Sequence, residues 1–424
     1  MLDLRQIRED PEPAREALRR RGADPALLDE ALELDERRRA VLPELEELRR
    51  VKNEASKKIG ELQRSGEDAS AAIEEVKGAS EREKQLDEEL RDLEWKRSGA
   101  LAALPNLADP TAPPEDEVIR EVGEGGAGGR DHLDLLGDLV DMEAGARVSG
   151  SRFAYLKGPL VRLELALVQW VLSLLEDKGF MPVIPPVLVR EDALFGTGFL
   201  PDTEQQIYRV PDDDLYLAGT SEVPLASLHA GEILDAGSLP RRYAGFSTCF
   251  RREAGAAGKD TKGIFRVHQF DKVEMFTFVD PEESEAEHER LLAIEEEILQ
   301  TLGIPYRVVN IAANDLGASA AKKYDLEAWL PGQERYRELT SCSNTTDYQA
   351  RRLDVRYRPG EESTRHVHTL NGTAVAVGRT IIALVENGQQ EDGTVRLPEA
   401  LHPFGAPAEI SAGGGLGPTR PASL

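Results

Sequence analysis

The 424-residue sequence predicts an α+β chain in two parts: an N-terminal antiparallel two-helix coiled coil, then a larger region in which strands alternate with helices. Three observations predict it. Apolar residues recur at three- and four-residue steps in two long blocks separated by a short polar turn. A proline- and glycine-rich stretch then breaks the pattern. From about Ser151 to about Gly405, strand-like runs are separated by helical ones. A chain of this length can form two or three domains with at least one large core.

Residues 1–108 hold the two blocks. Leu34, Val41, Leu48, Ala55 and Leu62 form one row at seven-residue spacing; Ala31, Arg38, Leu45, Lys52 and Ile59 form the other. This is the coiled-coil repeat, with Arg38 and Lys52 as polar interruptions. After Arg64-Ser65-Gly66-Glu67-Asp68 the rows resume as Ala72, Ala79, Leu86, Leu93, Ala100 and as Val76, Glu83, Leu90, Arg97. Two such helices joined by a short turn fold back antiparallel. At roughly 1.5 Å per residue each reaches on the order of 50 Å. Pro43 lies inside the first, and a mid-helix proline costs about 3 kcal/mol, so a bend or a fresh helix start is expected there. Arg37 to Arg64 holds nine Lys/Arg and five Asp/Glu, whereas Glu67 to Arg97 holds six and eleven, so the first helix is the basic one. A solvated helix face explains such a charge run; contact with a phosphate backbone explains it as well.

Residues 109–150 read as a linker, with prolines from Pro105 to Pro114 and a glycine run at 123–129. Leu160 to Leu175 is apolar but interrupted by Arg162, Glu164 and Gln169; it is too short to span a bilayer and reads as a buried amphipathic helix. Residues 406–424 read as a disordered tail. The N-terminus lacks the apolar core of a signal peptide. Cys249 and Cys342 can build neither a disulfide framework nor a four-thiolate zinc site, so no zinc and a reducing, cytoplasmic setting are expected. The net charge of -26 argues against coating nucleic acid through bulk charge, though not against a local basic patch.

Four clusters in the second region carry chemistry. YAGFSTCFRRE (243–253) reads as a strand ending in Arg251-Arg252-Glu253, AGAAGKDTKG (254–263) as a mobile loop, and IFRVHQFDKVEMFTF (264–278) as a long return strand. Alternation puts Arg251 and Glu253 on one face, and Arg266, His268, Phe270, Lys272 and Glu274 on one face of the return strand. Phe270 and Glu274 then stand roughly 13 Å apart, about the length of an aminoacyl adenylate. An aromatic ring suits a purine, a carboxylate an ammonium or hydroxyl, and an arginine between them a phosphate or carboxylate. An exposed, charged sheet face is the plainer reading. The second cluster is Gly219-Thr220-Ser221-Glu222, whose hydroxyl and carboxylate suit a small zwitterion but equally a helix start. In Tyr336 to Asn344, Glu338 and Ser341 offer hard oxygens for Mg²⁺ bridged by phosphates. Strict alternation puts those two on opposite faces, so joint coordination needs a bulge or a strand end. In Leu370 to Thr380 a strand runs into a helix start bearing Gly378-Arg379, which suits a polyphosphate or an ordinary turn.

Taken in order, GTGFLP (196–201), GTSEVPL (219–225), CFRREAG (249–255), HQFDKVEMF (268–276), YRELTSCSN (336–344) and TLNGTAVAVGRT (369–380) resemble the signature motifs of class II aminoacyl-tRNA synthetases. Over nearly the whole chain the resemblance is to the bacterial seryl-tRNA synthetases. It implies a tRNA-binding arm over 1–108 and a catalytic domain over 151–405, built on a mixed, mainly antiparallel sheet flanked by helices. No HIGH or KMSKS sequence occurs, which argues against the class I alternative.

The resemblance implies ATP at Arg251, Arg252, Glu253, Val267, Phe270, Glu338, Leu339, Thr340, Ser341 and Arg379, with Mg²⁺ on Glu338 and Ser341. It implies L-serine at Thr220, Ser221, Glu222, Arg251, Glu274, Asn371 and Thr373. Arg251 would hold the α-phosphate, Arg379 the γ-phosphate and Glu274 the amino acid, so these three carry the catalysis. Arg49, Arg50, Lys57, Lys58 and Arg64 would grip tRNA(Ser), and tRNA(Sec) as a second acceptor. The helix from Leu160 and the strand through Pro186 resemble the motif that joins a homodimer. His268 is expected to make a structural hydrogen bond rather than to act as a base. Two other readings compete: a paralogue that makes seryl adenylate for a non-tRNA acceptor or tolerates an inhibitor, and a non-catalytic coiled-coil adaptor. Two full arm helices weigh against the first, and intact Arg251, Glu253, Glu274, Glu338 and Arg379 against the second.

Overall fold

The computed structural model describes residues 1–126, 128–201, 206–254, 262–360 and 363–411. The chain divides into two compact units, Met1–Leu107 and Ala108–Leu424.

In the first unit, short helices α1 (Leu4–Ile7) and α2 (Glu12–Arg20) precede the long α3 (Ala26–Ser65) and α4 (Ser70–Ala103). The heptad rows become the seam: Leu34, Val41 and Leu45 are buried with Leu86 and Leu93. Gly66 turns the chain at φ 76°, a left-handed cap that costs glycine little. The polar interruptions are matched across the seam. Arg38 meets Glu94 at 3.1 Å, Lys52 meets Glu83, and Arg97 meets the buried Asp35 at 2.9 Å. As the α3 partner rises from 35 to 52, the α4 partner falls from 97 to 83, the mark of antiparallel order. The helix does not start afresh at Pro43; α3 is continuous through it. Val41 and Leu45, buried on either side, hold the helix across the one lost backbone bond.

The second unit is built on one large sheet. The chain runs through β1 (Glu117–Val122), α5 (His132–Leu136), β2 (Val140–Asp141), α6 (Met142–Ser149), β3 (Tyr155–Leu156), α7 (Pro159–Asp177) and β4 (Met181–Val183). An excursion follows: β5 (Leu188–Val189), α8 (Glu191–Thr197), β6 (Tyr208–Val210), β7 (Leu215–Leu217), α9 (Glu222–Ala226) and β8 (Ile233–Asp235). Then come β9 (Arg241–Phe250), β10 (Gln269–Val279), α10 (Ser284–Thr301), β11 (Tyr306–Asn310), β12 (Lys322–Leu330), β13 (Arg335–Asn344), α11 (Tyr348–Leu353), β14 (Arg356–Arg358), β15 (Arg365–His366), β16 (His368–Ala376) and α12 (Val377–Gly388). The eight-stranded sheet has the order β1-β11-β12-β13-β16-β10-β9-β4. Its pairs are antiparallel except β4 with β9. α7, α10 and α12 share one apolar core with it, into which β10 sends Val273 and Met275. Phe270, Lys272 and Glu274 alternate with these and line a cavity.

Two β-bulges shape the cavity side. Leu326 pairs with Thr340 and Glu327 with Glu338, so Leu339 is an extra residue in β13. Val273 pairs with Val375 and Glu274 with Thr373, so Ala374 is extra in β16.

Several expectations are corrected. Residues 109–150 are not a linker: β1 forms a sheet edge, with Val118 opposite Val309, and α5 and α6 follow. The return strand starts at Gln269, not Ile264, because the backbone before it is committed elsewhere: the His268 N–H bonds to the Arg152 carbonyl. The outgoing strand stops at Phe250, and Glu253 takes a left-handed φ of 52°. The strand expected through Pro186 ends at Val183. The loop expected at 254–263 falls mostly outside the described residues (255–261), as do residue 127 of the glycine run and 412–424 of the tail. The start of the expected tail is ordered instead: Glu409–Ile410 pair with Val395–Arg396, and Ile410 is buried in the core. Among the described residues no helix is long and apolar enough to cross a membrane.

Candidate active site

The open face of the sheet carries a cavity of about 400 Å³. β10 supplies Phe270, Lys272 and Glu274; β13 supplies Glu338 to Ser341 and Ser343; β16 supplies Asn371 and Thr373. The start of α12 adds Gly378 and Arg379, and the chain after β9 adds Arg251 and Glu253. Of the residues expected to meet ATP or serine, all line it but two. Ser221 points away, its hydroxyl donating to the Gly245 carbonyl at 3.2 Å. Arg252 is not part of the wall; its backbone N–H bonds to the Gln206 carbonyl. Both are expected from the resemblance alone; Arg252 falls between Arg251 and Glu253, which do face the cavity, and Ser221 lies at the start of α9.

One end of the cavity is a knot of buried polar groups. Thr220 Oγ1 donates to Glu274 at 3.0 Å and accepts from Lys272 Nζ at 2.9 Å and from the Glu222 N–H at 3.1 Å. Lys272 also ion-pairs with Glu274. Glu222 accepts from Gln349 at 2.7 Å and Asn371 at 3.1 Å. Burial pushes the Glu222 carboxyl above its ordinary range, although Gln349, Lys272 and Arg251 oppose it. Burial likewise pulls the Lys272 ammonium down to about 8.

Cations line the rest. Arg251 Nε donates to the Gly219 carbonyl at 3.1 Å, and its guanidinium sits 5.3 Å from the Phe270 ring centre. Arg266 pairs with Glu253 at 2.5 Å. Arg379 stacks 4.7 Å from Phe265, donates to the Glu338 carbonyl at 3.0 Å, and lies 3.5 Å from the Glu338 carboxylate. His268 makes a structural bond, its ring N–H donating to the Arg251 carbonyl at 2.9 Å.

The bulge at Leu339 resolves the alternation problem, because it brings Glu338 and Ser341 to the same cavity. Burial pushes Glu338 up, but Arg379, Lys323 and Arg251 together hold it below the ordinary carboxylate range, hence ionised. A carboxylate and a hydroxyl are two hard oxygens. They fit a small divalent cation whose remaining ligands are phosphate and water. Among the described residues no cluster of three or more His, Cys, Asp or Glu could hold a metal by itself.

Sequence reasoning missed several wall residues. Lys272 and Arg266 lay on the predicted strand face without a role. Thr197 to Phe199 fell inside a quoted motif but had none assigned. Lys323, on β12, had no role assigned, and the loop Gly317 to Ala320 carried no signal, because small residues in a loop have no periodicity.

The arm residues Arg49, Arg50, Lys57, Lys58 and Arg64 lie in the first unit. Arg49 is paired with Glu83 at 3.2 Å and Asp87 at 2.8 Å, and Arg50 with Glu47 at 2.6 Å and Glu54 at 2.8 Å. Arg64 bonds to the Gly60 carbonyl. Among the described residues, Lys57 and Lys58 are exposed and pair with no carboxylate.

Comparison with known proteins finds two family models on the chain. Residues 1–108 match the seryl-tRNA synthetase N-terminal domain. Residues 207–388 match the class II tRNA synthetase core domain (G, H, P, S and T). The serine–tRNA ligase of Acidothermus cellulolyticus is 50% identical over 420 residues, covering 95% of this chain and 98% of its own. That of Rhodococcus jostii is 50% identical over 414 residues, with the same coverage. Among solved structures, seryl-tRNA synthetase from Pyrococcus horikoshii complexed with ATP superposes with a TM-score of 0.91 at 44% identity, covering 97% of this chain and 100% of its own.

Proposed function

The chain belongs to the seryl-tRNA synthetases, class II aminoacyl-tRNA ligases, and on that premise we propose that it joins L-serine to ATP in this cavity and passes the serine to the terminal ribose of tRNA(Ser). The observation that carries the reading is the gathering of Arg251, Glu274 and Arg379 on one cavity wall, with a buried polar knot at one end and Phe270 nearby. Glu274 and Thr373 meet the serine side chain, and Thr220, Glu222 and Asn371 its ammonium. Phe270 stacks on adenine, Val267 meets it through the backbone, and Glu253 stands near it. Arg251 holds the α-phosphate and Arg379 the γ-phosphate. Glu338 and Ser341 would hold Mg²⁺, which supplies charge neutralisation on the phosphates when bound.

Serine's carboxylate attacks the α-phosphorus and pyrophosphate leaves; the ribose hydroxyl then attacks the carbonyl carbon of the seryl adenylate, the bond to the phosphate breaks, and AMP leaves as the hydroxyl gives up its proton. The attacking carboxylate needs no protein base. The residues therefore act by positioning and by charge complementary to the transition state. A hydroxyl-binding site rejects alanine because its acceptor would be left unpaired, and threonine is refused by volume at Thr373. Aminoacylation of tRNA(Ser) with serine, threonine and alanine in parallel tests the reading; equal rates with serine and alanine would reject it. Glu274→Ala is expected to abolish serine-dependent pyrophosphate exchange.

Acceptor binding belongs to the arm. With Arg49 and Arg50 already paired to carboxylates, Lys57, Lys58 and Arg64 keep their charge for phosphate in this reading, Lys57 and Lys58 being the adjacent lysine pair. Removing both should weaken tRNA charging and reduce its salt slope by about 1 per lysine, while pyrophosphate exchange is spared. tRNA(Sec) is the second acceptor in this proposal, measured beside tRNA(Ser). The homodimer is proposed through α7 and β4, where Leu165, Met181 and Ile184 are exposed, Ile184 to 83%.

A further inference from the structure

We propose that Lys272 is the positioning residue that sets the preference for a hydroxylated amino acid, by holding Glu274 as a carboxylate that can only accept. The inference rests on the reading above, in which Glu274 meets the serine side chain.

The argument is one of donors and acceptors. Lys272 and Glu274 are both buried on the same face of β10, and Lys272 Nζ reaches Glu274 Oε2 and Thr220 Oγ1 together. Thr220 Oγ1 also receives the Glu222 N–H. An ammonium and an amide N–H can only donate, so both acceptor positions of the threonine hydroxyl are taken. Its single proton must therefore go to Glu274 Oε2. That oxygen is saturated by two donors. The other, Oε1, has no hydrogen-bond partner among the described residues, and Glu274 lines the cavity. An ionised carboxylate carries no proton, so Oε1 offers lone pairs and nothing else. A ligand hydroxyl satisfies it; a methyl group does not.

The neighbouring charges show why the lysine is needed. The charged and titratable groups that act on Lys272 are Glu222 and Arg251, which line the cavity, the buried Cys249 thiol, and Glu295 on α10. Glu222, buried with amide donors, is pushed toward its neutral form. Without the ammonium, Glu274 would be a second buried carboxyl beside it and would take up a proton. A protonated carboxyl carries its own donor, so Oε1 no longer demands a proton from the ligand and the cost of an alanine methyl there falls. Burial lowers Lys272 only to about 8, so the charge persists at neutral pH.

Serine- and alanine-dependent pyrophosphate exchange by the full chain tests this. Lys272→Met should raise the KM for serine at least ~30-fold, leave the KM for ATP within about twofold, and cut the serine-over-alanine ratio of kcat/KM at least ~10-fold. Added to Glu274→Gln, whose charge is already gone, it should change that ratio no further. Lys272→Gln keeps a donor without the charge and should lose the ratio equally; it gives the same reading if the methionine variant does not fold. A serine KM within about threefold of wild type with an unchanged ratio overturns the proposal, as does full additivity with Glu274→Gln. Near-normal exchange by Glu274→Ala would remove the serine reading itself, whatever Lys272 does.

Discussion

Glu222 and Glu274 stand at one end of the same cavity, and their neighbours make them different groups. Gln349 and Asn371 both donate to Glu222 Oε1, so removing Gln349 leaves that oxygen a single donor and strips the buried Thr197 carbonyl of its 3.2 Å bond, at about 1–3 kcal/mol. Gln349→Leu should therefore lower the unfolding midpoint and raise the KM for serine together, read by calorimetry and exchange kinetics. His288 offers a test by pH. Burial lowers its pKa from 6.5 to about 4, while its ring N–H donates to the Cys342 carbonyl at 3.1 Å. The unfolded chain binds the proton more readily, so this contribution is whole above about pH 6.5 and is lost as pH falls toward 4, up to about 3 kcal/mol. The urea midpoints at pH 7 and pH 4.5 should lie closer together for His288→Gln than for wild type; an equal separation would contradict it. At this scale most cavity residues were legible, because charged side chains on an alternating strand announce one face. Lys272 was visible but unassigned, since its meaning lies in Thr220, which is 52 residues away in the chain.

At the scale of elements, the heptads were legible because a helical period is local. Leu86→Ala should cost about 2–5 kcal/mol of arm stability, seen in thermal unfolding, with pyrophosphate exchange unchanged. The bulge at Leu339 was not legible, because an extra residue is defined only against the partner strand β12. Strict alternation separated Glu338 from Ser341, and the bulge reunites them. If they share a cation, Ser341→Ala should raise the Mg²⁺ concentration for half-maximal exchange without changing the KM for serine. The apolar run at 264–268 looked like strand but is drawn into turns by bonds to Arg152 and Arg251, residues that no local pattern connects to it.

For the whole molecule, the order of motifs made the architecture readable, while the place of β1 at the sheet edge was hidden beside a glycine run that suggested a linker. The opposite edge, β4, adjoins the exposed Ile184. If the proposed homodimer forms through this edge, Leu165→Glu combined with Ile184→Glu should give a monomer in sedimentation velocity where the unaltered chain gives a dimer; an unchanged dimer would place the interface elsewhere. The arm has an uneven build. The seam's buried leucines and its cross-helix ion pairs lie between residues 34 and 52 and their partners at 82–97. Toward Gly66 the buried seam shrinks to Ala55 and Ala72, with Gly60 and Gly78 nearby. Such a lever is stiff at its root and compliant at its fingertip. The last turns should surrender their amide hydrogens to deuterium first, and they can mould to a curved surface while the root keeps its pitch.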